Sequence, residues 1–209
     1  MALAVSPARA TLVAPAARSI EVRNAGRETA VVEVTRGVTP WLRVTPSRLL
    51  LRTGAHASLT VRARANGHTR PGDHDLVLLL TARPVGSSRI AVRMRLGVRL
   101  RVRMPGRLVH GVALRRLRVR RHAGKRVLML TVANTGNVNE QLRDATVTLV
   151  RSGRVVSTLR ARGAREITAG SRLVLAFPFA GRVHGLVTAD VAARFASVPT
   201  AQRRYRLRL

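Results

Sequence analysis

The chain has no cysteine in its 209 residues. Disulfides and thiol chemistry are excluded, and cysteine usage leaves the redox compartment open. Lysine is almost missing too: Lys125 stands alone beside 38 arginines. There are only 9 acidic residues, and the aromatics are one Trp, one Tyr and three Phe. Glycosidase-type catalysis needs two facing carboxylates, and the scattered acids nominate no such pair. No G-x-S-x-G motif and no phosphate-cradling glycine loop occurs. His56, His68, His74, His110, His122 and His184 show neither H-x-H nor H-E-x-x-H spacing. No apolar run reaches the length of a membrane-spanning helix. These absences point away from an enzyme, so no catalytic residue, metal ligand or cofactor is assigned.

Positive charge is what the chain has in excess. The net charge is +30. Residues 1–106 carry 18 Arg against 5 acids, and residues 107–209 carry 20 Arg and Lys125 against 4 acids. The basicity therefore belongs to both halves and is not a tail. Such a field favours anionic partners. Near-exclusive use of Arg, with abundant Ala, Val, Leu and Gly, is also what a high-GC coding sequence produces. Hydrophobic residues make up 46%, enough for sizeable cores.

Short alternating runs separated by Gly, Pro and Asn recur along the whole chain, which is the pattern of β-sandwiches. The longest runs from Ile90 to Met104. Ile90, Val92, Met94, Leu96, Val98, Leu100, Val102 and Met104 share one parity, and Arg93, Arg95, Arg99, Arg101 and Arg103 share the other. A period of two predicts a strand with one buried and one wet face, about 50 Å long. Gly97 predicts a bulge or bend within it, and Pro105-Gly106 ends it. Leu76–Leu80 is apolar at every position, which predicts a central strand covered on both faces. Asn24-Ala25-Gly26 and Asn134–Asn137 predict turns, and Arg151–Arg154 a hairpin. Trp41, beside Leu42 and Val44, reads as core. Met1–Val5 contains Ala2-x-Ala4, which is similar to the tail of a leader-cleavage site and predicts export with a leader upstream of Met1.

Several pieces resemble a known type. RSIEVRNAGRETAVVEVT (18–35), WLRVTPSRLLLRTGAHASLTVRA (41–63) and PGDHDLVLLLTA (71–82) resemble the immunoglobulin-like domains of the pilus-chaperone and sperm-protein group. His74 stands where that group carries an aromatic. TVANTGN (131–137) and the aromatic run 173–179 resemble adhesion-type Ig-like domains of bacterial surface proteins. The tandem is similar to two-domain proteins that interact with WxL-type wall proteins. That resemblance implies a wall-linked first domain and a partner-binding second one. A pilus-chaperone comparison places Arg9 at that family's first-strand arginine and Arg99 or Arg101 at its last-strand lysine. In that family the two bases anchor a bound subunit's terminal carboxylate. The chain departs from it in replacing the lysine, and in having a short segment at 83–89 where the family carries a long apolar loop.

The expectation is an all-β protein of two Ig-like sandwiches, residues 1–106 and 107–209. Its predicted role is a non-enzymatic, extracytoplasmic module that binds an anionic wall polymer or another surface protein. The alternatives are a cytoplasmic basic protein binding nucleic acid and a periplasmic pilus-type chaperone. Scarce stacking aromatics lower the nucleic-acid reading. The candidate anion-binding face is Arg93, Arg95, Arg99, Arg101 and Arg103, with a merely solvated sheet face as its rival. Asp73 and Asp75 have the spacing to share a strand face and hold calcium. Following Pro71-Gly72, they read first as turn residues.

Overall fold

The computed structural model describes residues 2–36, 39–85, 93–122, 125–181 and 183–209. Two compact units divide the chain, Met1–Arg107 and Leu108–Leu209. Each is an Ig-like sandwich of two sheets closed over its own core. No helix occurs among the described residues, so none is long and apolar enough to cross a membrane.

Among the described residues the first unit has nine strands: β1 (Leu3–Ser6), β2 (Arg9–Val13), β3 (Ala16–Asn24), β4 (Ala30–Arg36), β5 (Leu42–Thr45), β6 (Arg48–Leu51), β7 (His56–Ala63), β8 (Gly72–Pro84) and β9 (Met94–Met104). One sheet runs β1-β3-β7-β5 and the other β2-β9-β8-β4-β6. The alternation read in the sequence is the cause. Ile20, Val22, Leu59 and Val61 face inward from one sheet, and Leu78, Leu80, Leu100 and Val102 from the other. Burying each such side chain is worth about 1.5–3 kcal/mol.

Two expectations for this sheet are corrected. The register of β8 with β9 runs unbroken from Ala82↔Met94 to Gly72↔Met104, so Gly97 marks no bulge. It is glycine because a Cβ there would lie 2.9 Å from Val77 Cγ1. Leu76–Leu80 is covered on one face only. Leu78 and Leu80 are fully buried, while Val77 is 50% exposed on the outer face, directly across from Arg99. The long aliphatic stems of such arginines can shield an outer apolar residue. Of the longest predicted strand, Ile90, Ala91 and Val92 lie outside the described residues. The strand stops as expected: Gly106 has φ +124°, and a Cβ there would meet Pro71 Cγ at 2.6 Å.

Among its described residues the second unit has seven strands: β10 (Val112–His122), β11 (Lys125–Asn134), β12 (Glu140–Arg151), β13 (Arg154–Ile167), β14 (Arg172–Phe179), β15 (Leu186–Phe195) and β16 (Ala201–Arg208). Its sheets run β10-β11-β14 and β13-β12-β15-β16. The predicted hairpin joins β12 to β13 through Ser152 (φ 49°) and Gly153 (φ 75°). Two successive positive φ values match the right-handed twist of the flanking strands.

One device recurs in both units. Asn24 is fully buried; its Nδ2 donates to the carbonyls of Glu28 (2.7 Å), Leu51 (3.0 Å) and Arg52 (3.2 Å). Its Oδ1 accepts from Gly26 N–H at 3.0 Å. Asn134 Nδ2 donates to Val138 (2.7 Å) and Ile167 (2.9 Å), and its Oδ1 accepts from Gly136 N–H at 2.9 Å. In each unit the amide closes its own turn and ties it to the last residue of another strand, Leu51 of β6 or Ile167 of β13. Buried polar groups are stable only when partnered in this way.

Candidate functional site

β9 lies between β8 and β2. Its pairing with β2 is parallel and spans Arg9↔Arg99 to Val13↔Arg103. The outer parity of β9 carries Arg95, Arg99, Arg101 and Arg103, while Arg93 is exposed just before the strand. The arginine stripe of the sequence is thus real from 95 to 103, but its members do not share one environment.

Its C-terminal half is neutralised. Arg103 holds Asp73 with two parallel bonds, Nε–Oδ1 at 2.7 Å and a second nitrogen to Oδ2 at 2.9 Å. The Asp73 side chain is 1% exposed, and this hydrogen bond raises the Arg103 pKa above its ordinary value. Arg101 Nε meets Asp75 Oδ1 at 2.9 Å. Asp73 and Asp75, considered above as cation ligands, therefore serve as partners of the stripe. No cluster of metal-ligating side chains occurs among the described residues.

Among the described residues, no acid forms an ion pair with the other half. Arg99 faces Val77 on β8 and Arg9 on β2. Both arginines are exposed, and no ion pair engages either among the described residues. Like charges set directly opposite on one sheet face are unfavourable, so an anion held between them removes repulsion as well as gaining charge-assisted bonds. Arg101, opposite Thr11 and already paired, is not equivalent. Arg93 and Arg95 border a separate hollow of about 340 Å³ with Glu33, Thr35, Thr81 and Arg83.

The structure adds a feature that the stripe alone did not disclose. Arg99 N donates to Ala8 O, so the odd residues of β9 turn their backbone groups toward β2. β2 ends its pairing at Arg99. Gly97 and Arg95, two and four residues earlier, turn theirs the same way, and no strand pairs with them on that side among the described residues. The inward side chains of this open stretch, Met94 and Leu96, are only half-buried, whereas Val98, Leu100 and Val102 are fully buried. Alternation marks a strand but says nothing of which residues lack a neighbour. That depends on where the five-residue β2 begins. The His74 ring lies 5.3 Å from the partly buried Trp41 ring, and its Nε2 bonds Arg70 O at 2.8 Å.

No family model and no curated protein sequence matches the chain. Solved structures do. The YadV chaperone is 14% identical with a TM-score of 0.53, over 99% of this chain and 100% of that one. The class 5 fimbriae chaperone CfaA is 13% identical with a TM-score of 0.55, over 97% and 98%. A chain of the Salmonella enterica SafA pilin–SafB chaperone complex is 13% identical with a TM-score of 0.53, over 100% and 96%. The shared property is the tandem Ig-like fold, across nearly the full length of each chain.

Proposed function

We propose that the protein is a non-enzymatic, extracytoplasmic chaperone that holds another surface protein by adding a strand to its own first sheet. Of the roles weighed from the sequence, this takes up the pilus-type chaperone in place of the wall-polymer module. The observation that carries it is the Arg9–Arg99 pair at the inner end of the open edge of β9. The similarity to solved structures of chaperones, one of them with a pilin, supports it. A partner strand lying along Met94–Val98 gains main-chain hydrogen bonds from Arg95 and Gly97. Strand addition to a sheet edge is a recurring recognition mode, and chaperone–pilin complexes use it. The partner's apolar side chains would cover Met94 and Leu96. A partner whose chain ends at Arg99 runs parallel to β9, as β2 does, and presents its terminal carboxylate to the two guanidinia.

The test uses a labelled peptide of alternating Val and Thr in two forms, with a free C-terminal carboxylate and with a C-terminal amide. The carboxylate form should bind about tenfold more tightly, the scale of one charge-assisted contact. Arg99→Gln should abolish that preference, and Arg101→Gln should leave it. Equal binding of the two peptide forms would refute the anchor.

A further inference from the structure

The outer face of the sheet β13-β12-β15-β16 is a second cationic surface, and no strand addition involves it. Cross-strand register defines it: Asp144 lies between Arg162 and Arg194, Thr146 between Arg160 and Ala192, and Thr148 between Thr158 and Asp190. Beyond β15, Asp190 pairs in register with Arg204, and Thr188 with Arg206. Arginines therefore stand in one column on β13 and another on β16. The columns are three strand spacings apart, about 14 Å between backbones. Between them the floor is low, built from Thr146, Thr148 and Ala192. Two hollows of about 600 and 500 Å³ occupy this floor, and they share Thr146 and Ala192. They adjoin at these two residues, one on the β13 side of the floor and one on the β16 side, as a single trough.

The acids of the trough are already engaged. Arg194 Nε lies 3.0 Å from Asp144 Oδ1, and Arg204 Nε lies 2.6 Å from Asp190 Oδ1. The Arg194 hydrogen bond, reinforced by the charges of Arg160 and Arg162, holds the Asp144 carboxyl below its ordinary range. Arg160, Arg162 and Arg206 have no ion pair of their own among the described residues. The arginines that do pair remain well exposed, Arg194 at 68% and Arg204 at 74%.

The other sheet of the same unit shows that high arginine content alone does not make such a trough. Its outer face carries Val127, Met129, Val174 and Ala176, with Arg116, Arg118 and Arg120 on one edge strand and Arg172 alone on the other. We infer that the trough between the β13 and β16 arginine columns binds a linear, phosphate-bearing polymer that lacks stacking bases. Three features select this class. The cations come in two parallel columns and not as a single cluster, which suits a chain over a compact ion. The floor hydroxyls of Thr146 and Thr148 can donate to phosphate oxygens. Among the described residues the face presents no aromatic ring: Tyr205, the nearest in sequence, has the opposite parity to Arg204 and Arg206 and lies under Arg203 at 5.3 Å. Single-stranded nucleic acid draws much of its affinity from aromatic stacking.

The probe is inorganic polyphosphate, titrated into the full chain at two salt concentrations. Arg160→Gln, Arg162→Gln and Arg206→Gln together should weaken binding about tenfold or more. They should also reduce the log–log salt slope by about 2, three lost phosphate contacts at roughly 0.7 each. The matched triple Arg116→Gln, Arg118→Gln and Arg120→Gln should change affinity less than about twofold. Equal losses from the two triples would overturn the proposal, since the general field would then account for binding. Tighter binding of single-stranded DNA than of polyphosphate at equal charge would also overturn it, by assigning the trough to nucleic acid. A phosphodiester-linked polyol polymer in place of polyphosphate distinguishes an envelope polymer from free polyphosphate as the source of the same chemistry. Both keep the proposal, and failure of both refutes it. None of these variants touches Arg9, Arg99 or β9, so this outcome is independent of the strand-addition reading.

Discussion

Asn24 and Asn134 do the same work in the two units, yet the second corner has taken on more. Around Asn24 the amide ties a turn to β6, with Ala2 O accepting from Ala25 N at 3.0 Å as a further main-chain link. Around Asn134 the turn also grips the chain leading into β10. Asn137 exchanges two bonds with Val109, N–H to Val109 O at 2.9 Å and Oδ1 from Val109 N–H at 2.7 Å. Thr135 N donates to Gly111 O, and His110 Nδ1 lies 2.7 Å from Oε1 of the fully buried Glu140. A repeated device identifies what the fold requires of each unit. The additions at one copy show where that copy holds an extra segment.

The comparison predicts different sensitivities. The largest effect is expected at Gly136. A Cβ there would fall 2.1 Å from Val109 O, a backbone atom that cannot rotate away. Gly136→Ala should destabilise the second unit by roughly 3–5 kcal/mol. Gly54, where nothing lies near a Cβ, has φ +74°, so Gly54→Ala should cost only backbone strain, about 1–2 kcal/mol. Differential scanning calorimetry reads both.

Next come the asparagines. Asn24→Ala and Asn134→Ala each leave buried carbonyls without donors, at about 2–4 kcal/mol. If the units unfold separately, each substitution should lower only its own transition. A single shared shift would show that the two corners are not independent.

Smaller effects follow from the two kinds of aspartate. Asp73→Asn breaks a two-bond pair whose carboxylate is buried, and should cost about 1–3 kcal/mol. Asp144→Asn breaks a more exposed pair and should cost under about 1 kcal/mol. Urea midpoints at neutral pH decide the order. The smallest effect is in acid. The Asp144 pKa is lowered in the folded state by its Arg194 hydrogen bond. Its stabilisation is complete above the ordinary carboxylate pKa of about 3.9 and is lost as pH falls through the lower folded value. Asp144→Asn should therefore flatten the acid limb of stability slightly, and a steeper limb would contradict the assignment.

The sequence disclosed strands well because alternation is local. Leu59-x-Val61 and Val98-x-Leu100-x-Val102 announce their buried faces whatever lies around them. It also gave both asparagine turns, since Asn-x-Gly is a turn signal wherever it occurs. It did not show that these amides are buried, because their partners lie 27 and 33 residues away. The arginine stripe was legible as a face and misleading as a set. Arg101 and Arg103 differ from Arg99 through what the neighbouring strands place opposite them: β8 sets two aspartates against one valine, and β2 sets Thr11 and Val13 against Arg9. The trough on the second unit was invisible for the same reason. Its arginines come from β13, β15 and β16, and only strand order brings them around one floor.

Gly97 and Val77 have a consequence for how this sheet can change over generations. The missing side chain at 97 and the branched one at 77 occupy a single volume, with 2.9 Å between Val77 Cγ1 and the absent Cβ. Position 97 cannot gain a side chain while 77 keeps its branch. An alanine at 97 is admissible once 77 has shrunk, and a larger residue at 77 locks glycine in place. In a genetic screen for loss of β9 function, a Gly97→Ala allele should accordingly be rescued by Val77→Ala and not by substitutions at Leu79.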